Sequence, residues 1–248
     1  MKQNKFRIVV PIYNSIQWVE KCIMSINDQK YDNWGAILID DASTDGTLDK
    51  IIATVKEKCA PGKFRVMSRN VNVGALENTI FGTNAICEDD EDIIVIVDGD
   101  DWMFDNNVLS YLNEVYQDEN IWLTYGNFIY ESNQQISKTN KLITNTRTYR
   151  HSQNYCSSHL RTYKFKIWKK IQEVDLRDSY GRYYKITGDL AVMYPLIEMS
   201  GLNRIKFIEK PLYVYNDINP INDHKKNVKL QIRTDFEIRK KLMYKELP

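Results

Sequence analysis

Short apolar runs alternate with amphipathic segments through the first hundred residues of the chain. Runs of strand length separated by segments with helical periodicity predict repeated β-α-β units. The predicted strands are Phe6 to Pro11, Gly35 to Asp40, Lys63 to Ser68 and Asp92 to Val97, and the third of the intervening helices spans Ala75 to Ile86. The fourth strand is apolar on both faces, as in a central parallel strand that helices cover on both sides. The pattern therefore predicts an α/β fold with a doubly wound, mostly parallel sheet.

The periodicity changes after Asp101. A helix with Leu109 and Leu112 on one face is followed by a polar stretch from Glu131 to Ser158, and an irregular segment of this length is typical of a functional lid or of disorder. Helices are predicted from Leu160 to Ile171, from Asp189 to Ser200 and from Asn227 onward, and strands from Arg204 to Ile208 and from Leu212 to Tyr215. At the first helix, either Asn14, in a capping box with Gln17, or Ser15 is the predicted cap.

Composition and charge limit the classes of partner. The 248 residues include 34 basic and 33 acidic side chains, a formal net charge of +1, so the chain as a whole does not attract nucleic acid. No apolar run approaches the roughly 18 residues of a membrane span. The four cysteines are too widely spaced for a zinc site or a redox pair. We therefore expect a cytoplasmic protein with free thiols, which holds any anionic ligand through local features.

Three carboxylates lie within the four residues Asp98-Gly99-Asp100-Asp101, directly after the fourth predicted strand. In an open α/β sheet, ligands bind at the carboxyl ends of the strands. Carboxylates this close repel one another strongly unless a cation lies among them. Oxygen ligands favour Mg²⁺ or Mn²⁺, and such ions complete their coordination with substrate phosphates. The cluster therefore predicts a divalent metal site, with a solvated acidic loop as the alternative.

Asp40 and Asp41 end the second predicted strand and precede Ala42-Ser43-Thr44-Asp45-Gly46-Thr47. That segment suits a turn and a capped helix start. A capped turn needs only one aspartate, and this segment has two adjacent ones. From spacing alone they are either part of this turn or a ligand-binding pair.

The strand ends and the loop before the third helix form an ordered set of four segments. They are Val9-Val10-Pro11-Ile12-Tyr13-Asn14, Ile39-Asp40-Asp41-Ala42-Ser43-Thr44-Asp45-Gly46-Thr47, Asn72-Val73-Gly74 and Val97-Asp98-Gly99-Asp100-Asp101-Trp102. In this order and spacing they resemble the donor half of a family 2 glycosyltransferase with the GT-A fold. The match covers roughly the first 105 residues and is specific as a set.

The resemblance implies how the donor is held. Pro11 and Tyr13 would line the nucleotide pocket, Asp41 with Asp40 would contact the base, usually uracil, and the Asp98 cluster would hold ribose and metal. The residues expected to bind the nucleotide sugar are Pro11, Tyr13, Asn14, Asp40, Asp41, Asn72, Gly74, Asp98, Gly99, Asp100, Trp102 and Arg161. The residues expected to bind the metal, Mn²⁺ or Mg²⁺, are Asp98, Asp100, Asp101 and His224. Trp102 is included because it adjoins the metal motif, although apolar packing is the default for an aromatic side chain.

One departure from the family pattern concerns the third helix. Family members often have an arginine just before its asparagine, whereas this chain has Glu77 before Asn78. A cationic contact to phosphate or base would then come from Arg161, Lys164 or Arg69.

The resemblance also implies inversion at the anomeric carbon, which requires a general base on the acceptor side. Thr187-Gly188-Asp189-Leu190 is similar to the family's motif with a catalytic acid, so Asp189 is the expected base, although an aspartate at a helix start is also an ordinary cap. His224 is either a surface residue or the late histidine that related enzymes bring to the metal. His159 and Arg161 either contact diphosphate or acceptor or belong to a solvated helix start.

We therefore expect a single catalytic domain over 1–248. Its donor half is about 1–105, its acceptor half is about 106–224, and a C-terminal basic helix spans about 225–248. That last segment has eight basic and three acidic residues, and it is either a solvated helix face or a peripheral contact with an anionic membrane.

The expected function is inverting, metal-dependent transfer of a hexose or N-acetylhexosamine from a UDP-sugar to a hydroxyl acceptor on a glycan, protein or lipid. Two alternatives remain. A non-catalytic sugar-binding protein of the same fold would keep the pocket. A sugar nucleotidyltransferase would have a glycine-rich, basic loop after the first strand, whereas Pro11-Ile12-Tyr13-Asn14-Ser15 has neither feature.

Overall fold

Strands and helices alternate through the first half of the computed structural model, which describes residues 1–138, 143–152, 155–221 and 228–248. The strands are β1 (Phe6–Ile12), β2 (Trp34–Asp40), β3 (Phe64–Ser68), β4 (Ile93–Ile96), β5 (Trp102–Met103), β6 (Leu123–Tyr130), β7 (Arg161–Lys164) and β8 (Ile205–Tyr215). The α-helices are α1 (Val19–Asn27), α2 (Thr47–Lys58), α3 (Ala75–Ile86), α4 (Val108–Val115), α5 (Thr146–Tyr149), α6 (Phe165–Trp168), α7 (Gly188–Ser200) and α8 (Val228–Arg239).

All eight strands form one sheet in the order β3-β2-β1-β4-β7-β6-β8-β5. The first four strands in this order are parallel, as the β-α-β pattern predicts. Strand β7 is antiparallel to both β4 and β6, and β6 is parallel to β8. The doubly wound, mostly parallel sheet predicted from the sequence is therefore confirmed.

Helices cover both faces of the sheet, and β1 packs against both of these helical layers. Phe6, Ile8 and Val10 are fully buried in the layer that includes α1 and α4. Val9, which points to the opposite face, is fully buried in the layer that includes α3 and α7. Because side chains alternate across a strand, a continuous apolar run is what a strand between two helical layers requires.

Two local predictions are wrong. The segment predicted as a helix from Leu160 to Ile171 begins with β7 and continues into the single turn of α6. A helix of that length would leave the backbone of β4 without its antiparallel partner, so sheet pairing outweighs the helical periodicity. The first helix begins at Val19, so neither Asn14 nor Ser15 caps it. Asn14 instead accepts a hydrogen bond from the Thr44 backbone N–H at 2.8 Å.

A buried ion pair between Arg150, which follows α5, and Glu198 of α7 also contacts the C-terminal segment. The Arg150 guanidinium makes two parallel hydrogen bonds to the Glu198 carboxylate, at 2.6 and 2.7 Å, and both side chains are almost completely buried. Arg150 also donates to the Ile238 carbonyl of α8 at 3.2 Å, and Glu198 accepts from the Tyr244 backbone N–H at 3.0 Å. This network fixes α8 against α7, the helix whose first turn contains Asp189.

Over the described ranges, none of the helices has both the length and the apolar character that a bilayer span would need.

Candidate active site

The carboxyl ends of β1, β2 and β4 meet at one edge of the sheet. The parallel register places Ile12 beside Asp40, and the Gly99 backbone N–H donates to the Pro11 carbonyl at 3.0 Å. Tyr13 and Asp41 follow directly after β1 and β2, and Asp98 lies two residues after the end of β4. This is the position where open α/β sheets bind their ligands.

A cavity of about 760 Å³ opens at this edge. Most residues that the sequence singled out line it: Pro11, Tyr13, Asn14, Asp41, Asn72, Gly74, Asp98, Gly99, Asp100, Asp101, Arg161 and Asp189. The sheet and α7 thus bring together residues of both halves of the chain. The volume suits a small-molecule ligand.

Asp41 holds the loop that enters α3. Its two carboxylate oxygens accept hydrogen bonds from the backbone N–H groups of Val73 and Gly74, each at 2.8 Å. The Asn72 side chain donates to the Asp41 carbonyl at 3.3 Å, and the Lys185 ammonium, from the second half of the chain, donates to the Asn72 carbonyl at 3.0 Å. The wall formed by Asn72-Val73-Gly74 is therefore fixed from both halves of the chain.

Gly99 allows the acidic cluster to lie against β1. A Cβ added at this position would lie 2.6 Å from Ile12 Cγ1 and 3.0 Å from its Cα. Real Cβ atoms essentially never approach other heavy atoms so closely. The glycine between Asp98 and Asp100 is thus required by packing, which explains its place in the motif.

Asp101 is the buried member of the acidic cluster. Its carboxylate accepts hydrogen bonds from the Tyr213 hydroxyl at 2.8 Å and from the Asn216 backbone N–H at 2.7 Å. Burial, and then the neighbouring Asp100 and Asp98 carboxylates, raise the pKa of Asp101 well above its usual value. Residues at the end of β8 therefore fix this carboxylate in an environment that disfavours its negative charge.

His159 completes a group that has the chemistry of a metal site. Within the described ranges, ligand atoms of Asp98, Asp101 and His159 lie within 4.8 Å of one another. The His159 ring is buried and stacks on the Tyr213 ring, with centroids 4.6 Å apart. Burial, together with the Arg161 charge, lowers the pKa of His159 well below its usual value, so the ring is neutral near pH 7. Two carboxylates and a neutral imidazole are a donor set that fits Mn²⁺.

Asp100 lies outside this group of three. Its Oδ2 accepts a hydrogen bond from the Asn219 side-chain amide at 2.6 Å, and its carbonyl accepts one from the Asn216 amide at 3.0 Å. Its side chain lines the cavity.

Arg161 lies between the acidic cluster and Asp189. Its Nη1 is 3.2 Å from Asp189 Oδ2, and its Nη2 is 3.7 Å from Asp98 Oδ2. Nη2 is also 3.4 Å from His159 Nδ1. This chain has Glu77 where family members often have an arginine, and Arg161, Lys164 and Arg69 were the three predicted substitutes. Of these three, Arg161 lines the cavity.

Lys164 and Arg69 have other partners. Lys164, at the far end of β7, donates to the Glu119 carbonyl at 3.0 Å, and Arg69 donates to the Asn78 side chain at 2.9 Å. Neither of them lines the cavity.

Asp189 lies in the first turn of α7, where the helix dipole favours a negative charge. Thr187, with φ of 55°, is the residue that flanks the helix start, so Asp189 is not the cap. The ordinary capping interpretation of this aspartate is therefore wrong. Gly188 lets the helix start approach α3, since an added Cβ would lie 2.8 Å from Leu76 Cβ.

Two predicted site residues within the described ranges do not line the cavity. Asp40 is buried, and its carboxylate accepts from the Ser43 backbone N–H at 3.1 Å, so it stabilises the turn. Trp102 lies in β5, paired with β8, and its ring packs under the Lys21 ammonium, 3.5 Å from the ring centroid. Neither residue lines the cavity, and their contact with the nucleotide stays a prediction. His224, the predicted late metal ligand, lies outside the described residues.

Several residues of the site were not predicted. Tyr213, Asn216, Asn219 and Lys185 contact the acidic cluster or the Asn72 loop, yet nothing in their sequence context marks them. His159 was considered only for contacts with diphosphate or acceptor. Its proximity to Asp101 depends on the position of β7 beside β4, which the helix prediction for that segment excluded.

The chain is similar in sequence to two bacterial proteins that are described as glycosyltransferases. A glycosyltransferase of Haemophilus influenzae described as uncharacterized is 29% identical over 140 residues, which are 55% of this chain and 53% of that protein. Glycosyltransferase GlyG of Streptococcus pneumoniae is 29% identical over 121 residues, which are 49% of this chain and 38% of that protein. The matches thus span about half, or less, of the length of these relatives.

Two solved structures share the fold. S. aureus TarS 1-349 in complex with UDP-GlcNAc matches with a TM-score of 0.67 and 18% identity, over 90% of this chain and 61% of that chain. The mannosyltransferase PcManGT from Pyrobaculum calidifontis, in complex with GDP-Man and Mn²⁺, matches with a TM-score of 0.66 and 15% identity, over 98% of this chain and 67% of that chain. The GT-A fold predicted from the sequence is confirmed.

The sequence model described as glycosyl transferase family 2 matches residues 7–173. That match spans most of the chain and includes all four of the segments that carried the resemblance, as well as β7. The chain therefore belongs to glycosyl transferase family 2.

Proposed function

We propose that the chain transfers a sugar from a UDP-sugar to a hydroxyl acceptor with inversion at the anomeric carbon, and that a divalent metal assists. The observation that carries the proposal is one cavity with the acidic cluster on one side, Asp189 on the other and Arg161 between them. The proposed sugar is a hexose or N-acetylhexosamine, and the acceptor belongs to a glycan, a protein or a lipid.

Asp98, Asp101 and His159 are the residues proposed to hold Mn²⁺ or Mg²⁺, because their ligand atoms cluster and their chemistry fits. A bound ion would supply positive charge opposite the departing diphosphate. Asp41 and the Asn72 loop are proposed to form the nucleotide side of the pocket, together with Pro11 and Tyr13.

In the proposed reaction, the Asp189 carboxylate accepts the proton of the acceptor hydroxyl while that oxygen forms a bond to the anomeric carbon. The bond between the anomeric carbon and the leaving phosphate oxygen breaks, and UDP departs with the electron pair. Attack and departure on opposite faces of the sugar invert the anomeric configuration. The Arg161 guanidinium can donate hydrogen bonds to the departing diphosphate, since it already lies between Asp98 and Asp189.

Calorimetric titration with UDP, with and without Mn²⁺, tests the metal-dependent part of the proposal. GDP belongs in the same experiment because the two similar structures hold different nucleotides. We expect UDP to bind more tightly with Mn²⁺ and GDP to bind weakly. Binding of UDP that does not respond to metal would contradict the proposal.

A donor-hydrolysis screen over UDP-glucose, UDP-galactose and UDP-N-acetylglucosamine tests turnover and identifies the sugar. With the preferred donor and its acceptor, Asp189→Asn should lower the transfer rate about 10²- to 10⁴-fold and leave UDP affinity unchanged. Asp49→Asn, which removes an exposed carboxylate from the first turn of α2, is the matched control and should have no effect. Full activity of Asp189→Asn would refute the assignment of the base, and UDP binding without any turnover would favour a non-catalytic binding protein.

A further inference from the structure

Helix α8 has a fixed inner face. Thr234 and Ile238 are buried, and the Arg239 guanidinium donates to the Arg150 carbonyl at 2.7 Å. Together with the contacts of Arg150 described above, these bonds set which side of the helix faces outward.

The outward face of α8 carries an apolar stripe. Val228, Ile232 and Phe236 follow one another at intervals of four residues, which places them along the same side of the helix. Their exposed fractions are 51%, 66% and 61%. Isolated exposed apolar residues are common on soluble proteins, but a continuous stripe of large ones marks a surface that contacts an apolar partner.

Basic residues flank this stripe. Lys229, Arg233 and Lys240 lie beside it on the outward side, and within the described ranges no carboxylate lies at ion-pair distance from any of them. The two acidic residues of α8 are already engaged. Asp235 pairs with Arg239 at 2.7 Å, and Glu237 accepts from the Ser179 backbone N–H at 2.8 Å. The outward face is therefore both apolar and cationic.

We propose that α8 lies on an anionic lipid bilayer, with Ile232 and Phe236 at the level of the acyl chains and the flanking cations at the headgroups. A helix with apolar and basic residues on one exposed face has the character of an interfacial helix. A second copy of the chain fits this face poorly, because a two-fold contact through it would bring cations against cations.

The position of α8 connects this surface to the cavity. Leu230 and Gln231 line the cavity, and Leu230 is also 48% exposed, so the first turn of α8 forms part of the rim. A bilayer beneath α8 would then lie beside the cavity opening. If the proposed function holds, this arrangement favours an acceptor hydroxyl on a molecule that is anchored in the membrane.

Co-sedimentation of the full chain with vesicles tests the proposal. We expect binding to vesicles of phosphatidylcholine with phosphatidylglycerol, little binding to phosphatidylcholine alone, and a loss of binding at high salt. Lys229→Gln and Arg233→Gln should each lower the partition coefficient about fivefold. Phe236→Ser should lower it about tenfold, because it removes an apolar side chain from the interface.

Helix α2 offers a matched control. Ile52 is 49% exposed and Lys56 is exposed on its surface, so Ile52→Ser and Lys56→Gln likewise remove an exposed apolar side chain and an exposed cation, but from a different helix. These variants should bind vesicles like the unmodified chain. Equal losses in the α2 and α8 variants would overturn the proposal, as would an unmodified chain that stays in the supernatant with anionic vesicles.

Sedimentation velocity tests whether a second copy of the chain, rather than a bilayer, covers the apolar stripe of α8. A dimer that Phe236→Ser converts to a monomer would assign the stripe to a second copy and refute the bilayer contact. UDP affinity is measured in the same variants and should not change, because none of the substituted side chains lines the cavity. Vesicle binding without UDP binding would refute the proposed function alone, so the two failures are distinguishable.

Discussion

Roughly the first 105 residues and the residues after them, which are the proposed donor half and acceptor half, build their sides of the cavity in different ways. On the donor side, Tyr13, Asp41 and Asp98 each lie within two residues of the carboxyl end of a parallel strand. On the acceptor side, Arg161 lies on an antiparallel strand and Asp189 lies in the first turn of a helix. The carboxyl ends of parallel strands always lie at the same edge of a sheet. The acceptor side instead depends on how a strand and a helix of different direction pack together.

The two halves are also interlocked. Tyr213 and Asn216 of the acceptor half hold the carboxylate of Asp101, and Lys185 holds the carbonyl of Asn72. The donor motif is thus local in sequence, but its side chains are fixed by residues more than a hundred positions away. Motifs that a sequence shows as complete can still depend on distant contacts for their geometry.

The largest expected effect concerns the packing that orients the acceptor side. Glu198→Ala leaves the buried Arg150 guanidinium without its partner, which should lower the free energy of unfolding by about 3–5 kcal/mol. Urea unfolding monitored by tryptophan fluorescence measures the change. Glu246→Ala, which breaks an exposed pair with Arg204, is the control and should cost at most about 1 kcal/mol. Equal effects of the two substitutions would show that the acceptor side does not depend on the buried pair.

Metal affinity tests whether the acidic cluster at Asp98 and Asp101 needs His159, from the proposed acceptor half, to bind an ion. His159→Asn should weaken Mn²⁺ binding about tenfold or more, measured by the electron paramagnetic resonance signal of free Mn²⁺. The same spectroscopy in its pulsed form should lose the nitrogen coupling of a bound imidazole. His151→Asn, at an exposed histidine, is the control and should bind Mn²⁺ normally.

His224→Asn completes this comparison, because the family resemblance assigns the late histidine to the metal. If the nitrogen coupling persists in His159→Asn and disappears in His224→Asn, the role that we assign to His159 is wrong.

The donor side has its own packing requirement, at the contact between Gly99 and β1. Gly99→Ala should lower the free energy of unfolding by about 1–3 kcal/mol, because the added methyl overlaps Ile12. Gly35→Ala is the control. Its added Cβ would lie 3.6 Å from its nearest neighbour, an ordinary contact, so stability should change little. Thermal unfolding of both variants distinguishes the two outcomes, and a tolerated Gly99→Ala would contradict the steric argument.

The smallest expected effect tests the hydrogen bond that crosses between the halves. Lys185→Met removes the donor to the Asn72 carbonyl, and we expect UDP affinity to fall only about threefold because this ammonium is exposed. Lys170→Met, at another exposed lysine, should leave the affinity unchanged. An effect of a hundredfold would mean that Lys185 contacts the nucleotide directly.

Part of the site follows from the sequence because its chemistry is local. The apolar runs predict the parallel strands, and the residues after those runs must lie at one edge. Pro11, Tyr13, Asp41 and the Asp98 cluster could be identified on this basis, and the resemblance added Asp189 and Arg161, which also line the cavity.

Other features were decided only by the tertiary structure. The segment from Leu160 to Ile171 has helical periodicity. Its first part nevertheless forms strand β7, because it pairs with β4 on one side and β6 on the other. This strand brings Arg161 into the cavity. The same sheet order puts Asp98, Asp101 and His159 within reach of one ion, while β5 pairing removes Trp102 from the cavity.

The physical reason is the range of the interactions involved. Strand and helix patterns reflect the burial of side chains a few residues apart, so the sequence by itself determined the α/β core and the chemistry that follows its strands. The partners of Asp101 lie more than a hundred residues away, and the outward face of α8 is set by an ion pair between Arg150 and Glu198. Contacts of this range depend on how strands and helices are ordered in space, and only the folded chain decides that order.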